Sequence, residues 1–108
     1  MRFDLVGAVA AATLFTTAAI AEDAELVRRG EALVTGSCAS CHAVGRTGAS
    51  PRAEAPEFRF LGRRYPVASL QEALAEGTIS GHADMPDFTF EPDEVGAIVA
   101  YLESIQEP

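Results

Sequence analysis

The chain has 108 residues, which limits it to one folded domain, and 48% of them are hydrophobic, a fraction typical of globular proteins. Its 16 acidic residues outnumber its 8 basic residues, all of which are arginine, and the net charge is −8. A surface with this charge repels nucleic-acid phosphates and anionic lipid headgroups, so we expect neither nucleic-acid binding nor electrostatic docking to a membrane.

Residues 1–21 have the pattern of a secretory signal peptide. Arg2 supplies a positive charge, residues 5–20 are apolar and rich in small side chains, and Ala19-Ile20-Ala21 is an A-x-A cleavage site. We therefore predict export, to the periplasm or another space outside the cytoplasm, with cleavage after Ala21. The alternative is an uncleaved N-terminal membrane anchor, for which the apolar run is short, because a spanning helix needs about 20 apolar residues.

Residues 22–108 predict an all-α domain with three or four short helices, because apolar residues recur at helical spacing and no segment alternates as a strand. The predicted helices span about 24–35 and 67–76, each followed by a glycine, and a last helix begins at Pro92. The side chains expected to face the core are Leu26, Val27, Leu33 and Val34, with Gly30 among them, then Leu70, Ala73 and Leu74, and finally Val95, Ile98, Val99, Leu102 and Ile105.

Two long segments, 43–64 and 78–90, lack a helical or strand pattern and are predicted to be loops. Loops of this length are unusual in a small domain. A domain of this size also buries too little surface to be more than marginally stable without a disulfide, a metal or a cofactor. Both features are explained if the two loops wrap a group that is not protein.

The two cysteines of the chain lie in the motif Cys38-Ala39-Ser40-Cys41-His42. A Cys-x-x-Cys pair in an exported protein can be a redox-active dithiol, but such a pair usually follows a strand, and none is predicted here. It can also form a structural disulfide, although closing so short a loop stabilises a fold only weakly. The pattern Cys-x-x-Cys-His is typical of covalent c-type haem attachment, in which two thiols bind the porphyrin and the imidazole binds iron. We favour this third interpretation.

The iron of such a haem has a sixth position, for which the second loop offers two candidates. Met85 is the only methionine beyond Met1, and His82 is the only histidine besides His42. A thioether opposite an imidazole favours reduced iron and raises the reduction potential. We predict that Met85 is the ligand, with His82 or an open position as the alternatives.

The sequence resembles a small class I cytochrome c over essentially all of residues 22–108. The residues that carry the resemblance are the CASCH motif at 38–42, Met85-Pro86 in the second loop, and an amphipathic last helix that contains Tyr101-Leu102. The resemblance implies a cytochrome c-like all-α fold around one covalently attached haem c. It also implies that the first and last helices cross, with Gly30 and Tyr101 as the matching residues at the crossing.

Two further residues of this family have counterparts here. One is a proline whose carbonyl accepts a hydrogen bond from the iron-binding imidazole, which orients the ring and makes it a stronger ligand. Pro56 matches this proline, and Pro51 competes with it. The other is an arginine beside a haem propionate, which Arg63 matches.

The function implied by the resemblance is transfer of single electrons, without enzymatic activity of its own. Cys38 and Cys41 would hold the porphyrin, and His42 and Met85 the iron. The partners would be larger exported redox proteins in transient complexes, and the chain would be a monomer. Because the chain lacks lysine, a partner would present a basic surface or dock by apolar contact. The alternatives are a gas-binding or gas-sensing haem protein and, less favoured, a thiol-disulfide oxidoreductase.

Overall fold

The computed structural model describes the backbone of residues 2–77 and 84–108, with side chains from residue 17 onward. All regular secondary structure in these residues is helical, as predicted. The α-helices are α1 (Arg2–Ser37), α2 (Leu70–Glu76) and α3 (Pro92–Ile105), and two 3-10 helices, Phe58–Arg63 and Val67–Ser69, lie between α1 and α2.

Helix α1 contains the predicted first helix but begins much earlier, at Arg2, and continues through Gly36 to Ser37. Residues 17–26 are exposed, including Leu26, which had been expected to face the core. Among the residues whose side chains are described, packing against the core begins at Val27. Removal of residues 1–21 would leave the contacts from Val27 onward in place, and cleavage there stays a prediction. Within the part of the chain that the structure describes, no helix has the length and apolar character to cross a membrane.

Helices α1 and α3 cross in direct contact at Gly30, as the resemblance implied. A Cβ atom on Gly30 would lie 2.0 Å from the carbonyl oxygen of Ala97 and 2.7 Å from the Cβ of Tyr101. Only a glycine permits this approach, because any other side chain would overlap the backbone of α3. The two helices form the frame against which the remaining segments pack.

Helix α3 supplies much of the core. Its first residue is Pro92, and the Glu94 carboxylate accepts a hydrogen bond at 3.0 Å from the backbone N–H of Glu91, so the sequence signals for its start are confirmed. The five residues predicted to face inward are all buried: Val95, Ile98, Val99, Leu102 and Ile105.

The predicted loop 43–64 is not wholly irregular, because it ends in the 3-10 helix Phe58–Arg63. Phe58 and Leu61 are buried there. Gln106 ties this turn to α3: its side-chain amide donates to the carbonyl of Phe58 at 2.7 Å and accepts the N–H of Gly62 at 2.7 Å. Gln106 thereby fixes this segment, and the N–H of Phe58 joins it to the carbonyl of Ala43, the residue after the Cys-x-x-Cys-His motif.

The predicted second helix is confirmed as the 3-10 turn Val67–Ser69 continued by α2. It ends at Gly77, which has the left-handed conformation (φ 74°) and donates its N–H to the carbonyl of Ala73 at 2.9 Å. Of the loop predicted at 78–90, the structure describes residues 84 onward.

Candidate functional site

The Cys-x-x-Cys-His motif forms a turn at the C-terminal end of α1. The N–H of Cys38 still donates to the carbonyl of Val34 at 2.8 Å, as in a helix. The carbonyl of Cys38 then accepts the N–H groups of Cys41 and His42, at 3.2 and 3.0 Å. This tight turn places both thiols and the imidazole at one end of the helix.

The segment that follows the motif folds back and hydrogen-bonds to it. Arg52 donates its N–H to the carbonyl of Cys41 at 3.1 Å, and Phe58 donates its N–H to the carbonyl of Ala43 at 3.0 Å. From the other side, the hydroxyl of Tyr101 donates to the carbonyl of Val44 at 2.6 Å. The end of the motif and the two residues after it are therefore held by hydrogen bonds from the following segment and from the Tyr101 side chain of α3.

The imidazole of His42 is fixed in one orientation. Its Nδ1 lies 2.7 Å from the carbonyl oxygen of Pro56, and the ring of Phe58 packs against it with centroids 4.6 Å apart. Because a carbonyl can only accept, Nδ1 carries the proton, and the lone pair of the neutral ring is on Nε2. The predicted hydrogen bond to Pro56 is confirmed. The imidazole is prepared to bind a metal through Nε2.

A large cavity of about 380 Å³ lies beside this imidazole. It is lined by Cys38, His42 and Met85 together with apolar residues of the three α-helices, of the 3-10 helix Phe58–Arg63 and of the Met85 segment: Val34, Phe58, Leu61, Leu70, Leu74, Phe88, Phe90, Ile98 and Leu102. A smaller cavity of about 90 Å³ is lined by Cys38, Cys41, His42 and Met85 at once. The structure thus brings together all four predicted site residues. His82 lies outside the described residues.

Cys38 and Cys41 form no disulfide with each other. Burial raises the pKa of the Cys38 thiol to about 11. A thiol used for disulfide exchange has instead a lowered pKa, because the thiolate is the attacking species. Its placement at the end of a helix, with no preceding strand in the described residues, also differs from that of a redox-active dithiol.

Comparison with known families decides among the interpretations of the motif. Residues 25–102 match the family model described as cytochrome c oxidase, cbb3-type, subunit III. The chain belongs to this family and is a monohaem c-type cytochrome. It is also similar to cytochrome c-552 of Bradyrhizobium diazoefficiens, with 38% identity over 69 residues that cover 64% of each chain. No solved structure matches the chain significantly.

The cofactor of this cytochrome is a covalently bound haem c, and the residues present fit it. Protein interiors are normally close-packed, so an apolar cavity of this size in a small domain indicates a bound group. The donors around it are suitable: two thiols one turn apart, an imidazole oriented by Pro56, and a thioether. Residues of both long loops line this cavity, Pro56 from the first and Met85, Phe88 and Phe90 from the second, which fits loops that wrap a bound group.

The arginine that lines the larger cavity is Arg64 rather than Arg63. Arg63, which the resemblance placed near a propionate, donates from Nε and Nη2 to the main-chain oxygen of Pro108, at 3.2 and 2.8 Å. Its guanidinium lies 4.2 Å from the centroid of the Phe60 ring. The two arginines are consecutive, and which of them faces the cavity depends on the 3-10 helix Phe58–Arg63, which has no signal in the sequence pattern.

Proposed function

We propose that this cytochrome is an exported single-electron carrier in which Cys38 and Cys41 attach the haem and His42 and Met85 are the two axial ligands of its iron. When bound, the haem supplies a centre that accepts one electron as Fe(III) and releases it as Fe(II). The observation that carries the proposal is that all four side chains line one cavity.

Each ligand is supported by a different observation. The hydrogen bond from His42 to Pro56 increases the electron density on Nε2, and it holds the ring so that it does not rotate. Met85 is half-buried and lines both cavities, whereas a methionine that only filled the core would lie among the buried core residues.

The charge distribution supports transient partners with a basic or apolar docking surface. The exposed carboxylates of Asp84 and Asp87 flank Met85, and the chain has no lysine. Such contacts are small and short-lived, which suits repeated electron exchange between larger redox proteins. We propose that the cytochrome works as a monomer and catalyses no reaction of its own, and that it is released from its signal peptide after Ala21.

The axial ligation is tested by replacing Met85 with leucine, which keeps the side-chain volume, in protein produced with haem-attachment machinery. The ferric wild type is expected to show the long-wavelength sulfur-to-iron charge-transfer band and, once reduced, to bind carbon monoxide poorly. Met85→Leu should lose the band, bind carbon monoxide, and have a potential lower by about 100 mV or more, since axial ligands set haem potentials over about 0.8 V.

The matched control is His82→Ala, which should leave the band, carbon monoxide binding and potential unchanged. If His82→Ala changed all three and Met85→Leu changed none, the assignment of Met85 would be wrong. A wild type that bound carbon monoxide readily and lacked the band would favour a gas-binding protein instead.

A further inference from the structure

Arg52 connects the haem-attachment motif to the segment that carries Met85. Its backbone N–H donates to the carbonyl of Cys41 at 3.1 Å. Its guanidinium Nη2 lies 2.5 Å from Oδ2 of Asp84, the residue immediately before Met85. One residue therefore contacts both of the segments that face each other across the smaller cavity, and it lines that cavity itself.

The backbone of Arg52 is well anchored, so its side chain starts from a fixed point. The carbonyl of Arg52 accepts the N–H of Ala55 at 3.0 Å in a tight turn. Just before it, the hydroxyl of Ser50 accepts the N–H of Ala43 at 3.0 Å. The guanidinium Nε also lies 3.2 Å from a carboxylate oxygen of Glu54, a partner within the same turn.

The Met85 segment has few other connections of this kind. Among the described residues, the other hydrogen bond from residues 84–90 to the rest of the fold runs from the N–H of Phe90 to the carbonyl of Leu74, at 3.3 Å. That bond lies five residues beyond Met85. On the motif side, Arg52 provides the polar contact next to Met85.

We propose that the Arg52–Asp84 ion pair is a latch that positions Met85 against the haem iron, so that Arg52 and Asp84 are positioning residues for the axial ligand. The proposal rests on the proposed ligation by Met85. The Arg52 and Asp84 side chains are 43% and 68% exposed, so the free energy of the pair is the small one typical of ion pairs in contact with water. That corresponds to about a two- to fivefold change in the equilibrium between bound and displaced Met85.

The experiment measures how readily imidazole displaces Met85 from the ferric holoprotein, followed by loss of the sulfur-to-iron band at low ionic strength. The variants are Arg52→Gln, Asp84→Asn and the double variant. Each single variant should bind imidazole about two- to fivefold more tightly than the wild type. The double variant should bind no more tightly than the stronger single variant, because both changes break the same contact. High salt should bring the wild type close to the variants.

Glu54→Gln is the matched control, because it removes a carboxylate from the same guanidinium and leaves the Arg52–Asp84 pair in place. It should change imidazole affinity by less than about 1.5-fold, a smaller effect than one exposed pair. If Glu54→Gln had the same effect as Asp84→Asn, the local charge rather than the latch would set the affinity.

The two proposals fail in different ways. If the wild type has the charge-transfer band, Met85→Leu lacks it, and neither Arg52→Gln nor Asp84→Asn changes imidazole affinity, then the latch is wrong and Met85 ligation stands. If wild type and Met85→Leu are spectroscopically the same, the ligation is wrong, and the latch with it.

Discussion

The carbonyl oxygen of Pro56 lies 2.7 Å from Nδ1 of His42, fourteen residues away in the chain. The proline ring fixes the backbone φ angle at this point, and the 3-10 helix Phe58–Arg63 begins two residues later. The acceptor is thus held by a rigid segment. Its hydrogen bond selects the tautomer in which Nε2 is free to bind iron.

Replacing Pro56 with alanine should raise the reduction potential. The carbonyl remains, but the backbone around it gains freedom, the hydrogen bond weakens and the imidazole becomes a poorer donor to Fe(III). We expect a rise of up to about 59 mV, a tenfold change in a one-electron equilibrium, measured by spectroelectrochemical titration. Pro51→Ala, at an exposed proline of the same loop, is the control and should leave the potential unchanged. Equal potentials for the two variants would contradict this role of Pro56.

Replacing Gly30 with alanine should destabilise the fold. The new Cβ would lie 2.0 Å from the carbonyl oxygen of Ala97, so α1 and α3 must separate. Overpacking of this kind lowers the free energy of unfolding by about 1–3 kcal/mol, which urea denaturation would measure. Gly96→Ala is the control on α3: its Cβ meets no atom within 4 Å, and alanine favours the helix by about 0.5–1 kcal/mol. A Gly30→Ala protein as stable as Gly96→Ala would contradict the close crossing.

Stability should decline at alkaline pH because of Tyr101. Burial raises the pKa of its phenol above the ordinary 10.0, and the charge of Glu31 adds to this rise, while Arg46 opposes it. The folded state therefore binds the phenol proton more tightly than the unfolded state. The stabilisation is fully present below the unfolded pKa and is lost as the pH rises through the higher folded pKa.

The measurement is the free energy of unfolding of the wild type and Tyr101→Phe between about pH 8 and 11. At pH 8 the variant should be less stable by about 1 kcal/mol, because it lacks the hydrogen bond to Val44. The difference should narrow above pH 10 as the wild type loses stability. Because the chain has no lysine, few other side chains titrate in this range. If the unfolding free energies of the wild type and Tyr101→Phe differed by the same amount at every pH, Tyr101 would not be the cause of the alkaline decline in stability. Tyr65→Phe is the matched control.

Arg64→Gln should lower the reduction potential, whereas Arg63→Gln should not. A guanidinium that lines the cavity disfavours the additional positive charge of Fe(III), so its removal stabilises the oxidised state. Arg63 is engaged with Pro108 instead. If Arg63→Gln lowered the reduction potential more than Arg64→Gln, then Arg63 would be the arginine whose charge affects the haem iron.

Local sequence signals predicted the helices well, and the four predicted site residues line one cavity. Pro92 and Gly77 mark helix ends by their own backbone preferences, and the haem motif compresses two thiols and an imidazole into five consecutive positions. The close approach at Gly30 and the hydrogen bond from His42 to Pro56 were implied by the family resemblance rather than by local sequence signals, and the structure shows both.

The remaining features depend on contacts between distant segments. The 3-10 turn at Phe58–Arg63 has no helical periodicity of its own and is fixed by Gln106. Whether Arg63 or Arg64 faces the cavity follows from that turn. The bridge from Arg52 to Asp84 joins residues 32 positions apart, and nothing in the local pattern of either loop indicates it.

The most direct test of covalent haem attachment is the intact mass of the purified, fully denatured protein. For the wild type we predict the mass of the polypeptide plus one haem, and for the Cys38→Ala, Cys41→Ala double variant the mass of the polypeptide alone. A wild-type chain that releases its haem on denaturation, or a double variant that keeps one, would contradict the account.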